Sequence, residues 1–137
     1  MRPLQEQEGP MLTMLRIFLV SGAAALGMVS VAIADMSGLI GNTIVEHDRQ
    51  NPEVVVKTQL YADGSYQTWV SGGATSKGTW KERDGKLCYT QTSTPLPGYP
   101  TYFCAKGMDG RKVGDTWIER GWADGRWYQG RVVAGSN

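Results

Sequence analysis

The sequence predicts an all-β chain: an eight-stranded antiparallel up-and-down barrel, with a two-sheet β-sandwich as the alternative arrangement. Three observations predict it. Residues 54–61 alternate, with Val54, Val56, Thr58 and Leu60 on one side and Val55, Lys57, Gln59 and Tyr61 on the other, the period of two that a strand imposes. Asp-Gly pairs recur at Asp63-Gly64, Asp84-Gly85, Asp109-Gly110 and Asp124-Gly125, and these residues tolerate the positive φ of a tight hairpin turn. After residue 42 no long helical period interrupts the pattern.

Taken in order, a short helical turn over 36–40 precedes a first strand over 42–48, which ends at the polar run Arg49 to Glu53. The alternating stretch makes a second strand over 54–62, and Asp63-Gly64 turns it into a third over 65–70. Ser71 to Ser76 connects to a fourth over 77–83, and Asp84-Gly85 turns that into a fifth over 86–92. The segment from Ser93 to Tyr99, rich in Pro and Gly, is stiff and turn-forming and leads to a sixth strand over 100–107. Asp109-Gly110 introduces a seventh over 112–120, and Gly121 to Gly125 leads to an eighth over 126–134. Consecutive strands with short connections form a meander, and closing eight of them removes the exposed edges.

The turns imply a register. A two-residue turn at Asp84-Gly85 sets Arg83 against Lys86 and Trp80 against Tyr89. Centring the next connection on Leu96 sets Cys88 against Cys104 and Tyr89 against Phe103. Trp80, Tyr89 and Phe103 then form one cross-strand row facing the core, while the two cysteines sit on the outer face. Two further pairs are expected beside their turns, Tyr61 with Tyr66 and Trp122 with Trp127.

Residues Met14 to Ala34 read as a cleavable signal helix: Arg16 supplies the positive start, an apolar run follows, and Ala32-Ile33-Ala34 ends in small residues before Asp35. Residues 1–34 are therefore expected to be an N-terminal extension and signal peptide, and residues 35–137 a single barrel domain. Periplasmic or secreted localisation follows, with no integral membrane span after cleavage. In an oxidising compartment Cys88 and Cys104, the chain's two cysteines, are expected to form one disulfide.

Charge narrows the partners. The chain holds 14 basic and 13 acidic residues. The segment before Asp35 contributes Arg2, Arg16, Glu6 and Glu8, so the remainder keeps a net +1. That balance argues against a nucleic-acid partner, which selects a basic excess or stripe. No cofactor or metal is expected: His47 is the single histidine, and with paired cysteines it cannot complete a zinc ligand set. Glu46 and Asp48 flank it, so general acid–base catalysis is conceivable, yet adjacent strand residues point to opposite faces. Ser71, Ser76 and Ser93 lie in no nucleophile elbow.

A meander sends its connections alternately to two ends. One end takes the tight turns; the other takes the longer connections after residues 48, 70, 92 and 120. Binding groups favour longer loops on a rigid scaffold, and small barrels bind at their mouths. The candidate ligand- or partner-binding residues at that end are His47, Arg49, Trp69, Tyr99 and Trp122.

The run Tyr61-Ala62-Asp63-Gly64-Ser65-Tyr66, followed by Gly78-Thr79-Trp80, Leu87-Cys88-Tyr89 and Cys104, resembles small exported bacterial β-barrel proteins of unknown function. A Gly-x-Trp strand is also used by lipocalin- and avidin-like barrels, so the resemblance implies a calycin-like architecture and no particular activity. The expected function is that of an exported non-catalytic binding protein. It would hold a small apolar ligand or a partner protein at the longer-loop end; inhibitors of hydrolases belong to this class. The alternatives are a small barrel enzyme with His47 as general acid or base, and a cell-envelope structural protein.

Overall fold

A computed structural model describes residues 34–121 and 124–136. All of the expected signal peptide but Ala34, and Trp122, lie outside the described residues. Eight strands follow one another: β1 (Thr43–Asp48), β2 (Val55–Leu60), β3 (Ser65–Val70), β4 (Thr75–Arg83), β5 (Lys86–Gln91), β6 (Tyr102–Ala105), β7 (Thr116–Arg120) and β8 (Trp127–Val133). They form one antiparallel sheet in the order β6-β5-β4-β3-β2-β1-β8-β7. Because β8 returns to pair with β1, the sheet curls on itself and has an inner and an outer face. All eight expected strands are present, and no helix occurs among the described residues beyond a turn in which the Leu39 amide donates to Met36 O at 3.0 Å.

The curl is a half-barrel. Its ladder stops at β6 and β7, each of which has one strand partner among the described residues. The tight turn expected at Asp109-Gly110 is instead part of a longer connection over 106–115. Its backbone bonds elsewhere: Gly110 N donates to Asp35 O at 2.8 Å, Gly114 N to Val132 O at 3.0 Å, and Val132 N to Asp115 O at 3.1 Å. Met108 from this connection is buried in the core. The residues that would have lengthened β6 and β7 into a closing pair therefore lie across the end of the sheet.

The Asp84-Gly85 turn is as expected. Both residues have positive φ, 52° and 76°, and the register pairs Arg83 with Lys86, Trp80 with Tyr89, Cys88 with Cys104 and Tyr89 with Phe103. The Cys88–Cys104 disulfide is formed. The Asp63-Gly64 turn differs by one residue. Tyr66 opposes Leu60 and Tyr61 N bonds Ser65 O, because three residues, not two, make the bend; Asp63 Oδ1 caps the Ser65 amide at 2.9 Å. Tyr61 and Tyr66 thus point to opposite faces. Likewise Trp127 opposes Arg120, whose guanidinium lies over its ring at 5.4 Å.

Inside the curl, Leu39, Leu60 and Leu87 have no exposed surface, each contributing about 1.5–3 kcal/mol through burial. With Met36, Ile44, Met108 and Val132 they fill the tight-turn end. The segment 34–42 lies against the 106–115 connection so closely that a Cβ on Gly38 would stand 2.2 Å from Arg111 O. The aromatic row continues this core upward: Tyr89 and Phe103 stack with centroids 5.1 Å apart, and Tyr66 meets Tyr89 edge-on at 4.9 Å. Gly78 makes room for that row, since a Cβ there would fall 1.9 Å from Thr90 O and 2.8 Å from the Tyr66 ring.

Candidate functional site

Above this packed floor the inner face turns polar and leaves a cavity of about 70 Å³. All eight strands contribute to it. β1 brings Glu46, β2 Thr58, β3 Tyr66 and Thr68, β4 Ser76, β5 Tyr89 and Gln91, and β7 Glu119. Phe103 of β6 and Tyr128 of β8 complete the wall, and Leu96 and Tyr99 come from the connection over 92–101.

That connection is held by one buried amide. Gln91 Oε1 accepts from Ser76 Oγ at 2.7 Å and from Leu96 N at 3.1 Å, while its Nε2 donates to Pro100 O at 2.8 Å. Tyr99 N then bonds Leu96 O at 3.0 Å, and the Tyr99 ring reaches Phe103 at 5.2 Å between centroids. Thr58 and Thr68 satisfy each other, hydroxyl to hydroxyl, at 2.9 Å. Tyr66 Oη is different: its side chain is buried, 3% exposed, and the oxygen makes no hydrogen bond of good geometry. The nearby Ser76 hydroxyl has already committed its proton to Gln91.

Glu46 and Glu119 reach the same space from two strands. Glu46 pairs in register with Gly130, and Gly130 pairs with Trp117. Because position 130 has no side chain, the Trp117 ring lies over it; a Cβ there would stand 2.2 Å from the indole. The indole Nε1 donates to Glu119 Oε1 at 2.8 Å. Burial pushes the Glu46 carboxyl well above the usual carboxylate range, helped by its hydrogen bond to Glu119 and that neighbour's charge. Two carboxyls in one poorly hydrated space oppose each other's ionisation. Burial also raises the hydroxyls of Tyr89 and Tyr99, and Glu46 adds to both.

Two further acidic groups lie on β1 and on the connection before β8, outside the cavity lining. The buried Asp48 accepts from Gln50 N at 2.8 Å and pairs with Arg126 Nη1 at 3.0 Å; the Gln50 amide, then Arg126, hold its carboxyl low. Asp124 Oδ2 accepts from Tyr128 Oη at 2.9 Å. Burial and this hydrogen bond push the Tyr128 hydroxyl up to about 12.

The five sequence-derived binding residues do not share one place. Tyr99 lines the cavity. His47 and Arg49 line an open depression on the outer face, with Pro52, Thr116, Gln129 and Arg131. His47 Nδ1 lies 3.4 Å from Pro52 O, and its Nε2 is buried with no hydrogen-bond partner. Trp69 opposes Lys57 and Thr75, on the outer face near the same end. Sequence reasoning passed over Glu46 and Glu119. Their signal was alternation: Glu46 shares a side with Ile44, and Glu119 shares one with Trp117.

Comparison with known proteins finds no matching family model, curated protein or solved structure. No cluster of three or more metal-ligating side chains occurs among the described residues. No helix among them is long and apolar enough to cross a membrane.

Proposed function

We propose that this chain is an exported, non-catalytic binding protein that holds a small molecule in the interior of its half-barrel, toward the longer-loop end. The observation that carries this reading is the unequal filling of the inner face. One end is solid with leucines, whereas the other keeps a cavity walled by aromatic rings and a few polar groups, the usual make-up of a small-molecule site. The leader-like segment 14–34 and the disulfide support export. Tyr99 and Phe103 would provide apolar contact, and Gln91 would keep the overlying connection in place.

Native mass spectrometry of the protein purified from its own cell envelope tests the reading. A co-purifying small molecule, lost when Tyr99 is replaced by Ala, is expected. Release of no compound, together with no thermal stabilisation by any member of a metabolite panel, would remove it.

A partner protein is the second reading, supported by Tyr102 and Ile118, which are 47% and 52% exposed on edge strands β6 and β7. Edge strands with unpaired backbone groups can accept another strand. Cross-linking from position 118 in the cell envelope distinguishes it: capture of a single polypeptide favours a partner, and capture of none favours the cavity.

A further inference from the structure

We propose that the cavity recognises a small organic cation, an alkylammonium group held between Glu46 and Glu119 with its carbon chain against the rings of Tyr89, Tyr99 and Phe103. The proposal rests on the small-molecule reading above and names the ligand's chemical class.

Charge is the first ground. Two carboxyl groups line one half-buried space, and no positive side chain among the described residues answers them there. Arg120 borders the cavity, but its guanidinium is turned to Gly125 O at 3.2 Å and to the Trp127 ring. Arg126 is taken by Asp48. Glu119 has the Trp117 indole as a donor, but no cation among the described residues neutralises either carboxyl, and holding two like charges in one half-buried space is costly. A cation supplies the missing charge directly.

The second ground is independent of the acids. The Tyr66 hydroxyl, on a side chain only 3% exposed, borders the same cavity and makes no hydrogen bond of good geometry, the nearby Ser76 giving its own proton to Gln91. Buried hydroxyls are nearly always satisfied, so this one marks a place for a bound group. An ammonium nitrogen has protons to give to a carboxylate and to a phenol oxygen alike. The third ground is the wall: stacked Tyr89 and Phe103 with Tyr99 tilted beside them offer the ring faces that attract organic cations. Size sets the limit, since about 70 Å³ holds roughly five waters, or an alkylammonium of similar bulk.

Binding would exchange one positive charge for another. The ammonium favours the ionised Glu46 carboxyl, so a proton held there by burial leaves to solvent. The other ionisable groups lining the cavity are Arg120 of β7, its guanidinium turned to Gly125 O and the Trp127 ring, and the phenols Tyr128 of β8, Tyr89 of β5, Tyr99 above and Tyr66 of β3. A guanidinium and protonated phenols take up no proton at neutral pH. Affinity should therefore fall as the solution is acidified.

Calorimetric titration of the full chain with n-butylammonium chloride, n-butanol and sodium butyrate is the test. Saturable binding of the amine alone is expected, with heat that changes with the buffer's ionisation enthalpy because a proton is released. Glu46→Gln and Glu119→Gln should each weaken binding at least tenfold. Tyr66→Phe should weaken it about threefold or more. Near-UV spectra matching the parent's show that each variant is folded, and either carboxyl variant suffices if the other fails. Butanol binding as tightly as the amine, or unchanged affinity in a folded Glu119→Gln, overturns the cation while the binding-protein reading stands. An anionic or neutral compound found by native mass spectrometry does the same. If neither amine nor alcohol binds and no compound co-purifies, both readings fall.

Discussion

The same strands build both ends of the half-barrel, yet the ends differ. On β1 the inward residues run from Ile44 to Glu46 to Asp48; on β2, from Leu60 to Thr58; on β5, from Leu87 through Tyr89 to Gln91. Toward the tight turns, each position is apolar and closed off. Toward the longer connections Glu46, Thr58 and Gln91 are polar and border the cavity. Stability and chemistry are thus divided along each strand, not between strands. A polar residue on the inner face is tolerated at the upper end because neighbours satisfy it, as Ser76 and Leu96 N do for Gln91.

The sharpest way to break this contrast is to cut both ends equally. Leu87→Ala removes a side chain with no exposed surface and should cost about 2–5 kcal/mol, read from denaturant unfolding. Tyr99→Ala, on the half-buried upper connection, should cost about 1 kcal/mol, near the centre of point-mutant effects. Equal losses would mean that the upper end is as integral to the core as the lower, and that the division described above is false.

The disulfide tests the least supported strand. β6 has four residues and one neighbour, β5, and Cys88–Cys104 joins the two across a separation of 16 residues. Replacing both cysteines with Ala should lower stability by on the order of 3 kcal/mol in the chain-entropy picture. Amide exchange should quicken first in β6 and the 92–101 connection, ahead of β1 and β2. Uniform quickening would show that the staple serves the whole sheet rather than its edge.

These expectations draw on a fold that was largely legible in the sequence. The Asp84-Gly85 turn was enough to place Trp80 against Tyr89, because a two-residue turn leaves no freedom to slip, and centring the next connection on Leu96 placed Phe103 and both cysteines. Asp63-Gly64 carries the same dipeptide but sits in a three-residue bend, and nothing local distinguishes the two. The opening between β6 and β7 was hidden for another reason: it depends on where residues 106–115 find backbone partners, Asp35 and Val132, which is a tertiary matter. Of the residues expected at the longer-loop end, Tyr99 lines the cavity. Attention to the single histidine obscured Glu46, the neighbour that faces inward, and Glu119 joins it only through the β8 strand between them.

A smaller effect sharpens the view of the upper end as the place of cost. The Glu46 carboxyl is raised by burial in the folded state. A group raised in this way adds stability while it keeps its proton, below its unfolded value, and that stability is lost as pH rises through the folded value. The parent should therefore lose stability as pH climbs from about 4.5. Glu46→Gln, which cannot ionise, should flatten that slope and be more stable than the parent at neutral pH. A slope unchanged in the variant would place its origin in other groups.

The smallest effect concerns the lower end, where the chain enters the fold. Asp35 N donates to Asp109 Oδ1, and Asp35 O accepts from Gly110 N at 2.8 Å. Cleavage after Ala34, as the leader motif predicts, would turn that amide into an α-ammonium beside the same carboxylate, and a hydrogen bond would become an ion pair. The pair is exposed, so in a chain so cleaved Asp109→Asn should cost no more than about 1 kcal/mol. Its pH signature is specific. A paired α-ammonium has a raised folded value, so its contribution is full below the unfolded range of about 7.7–8.0 and fades as pH rises through the folded value. Unfolding at pH 6 and at pH 10 should show the variant weaker at the first and equal to the parent at the second. Intact mass must place the amino terminus at Asp35; a terminus elsewhere, or a deficit that persists at pH 10, would show that Asp109 acts on the backbone amide and not on a newly made charge.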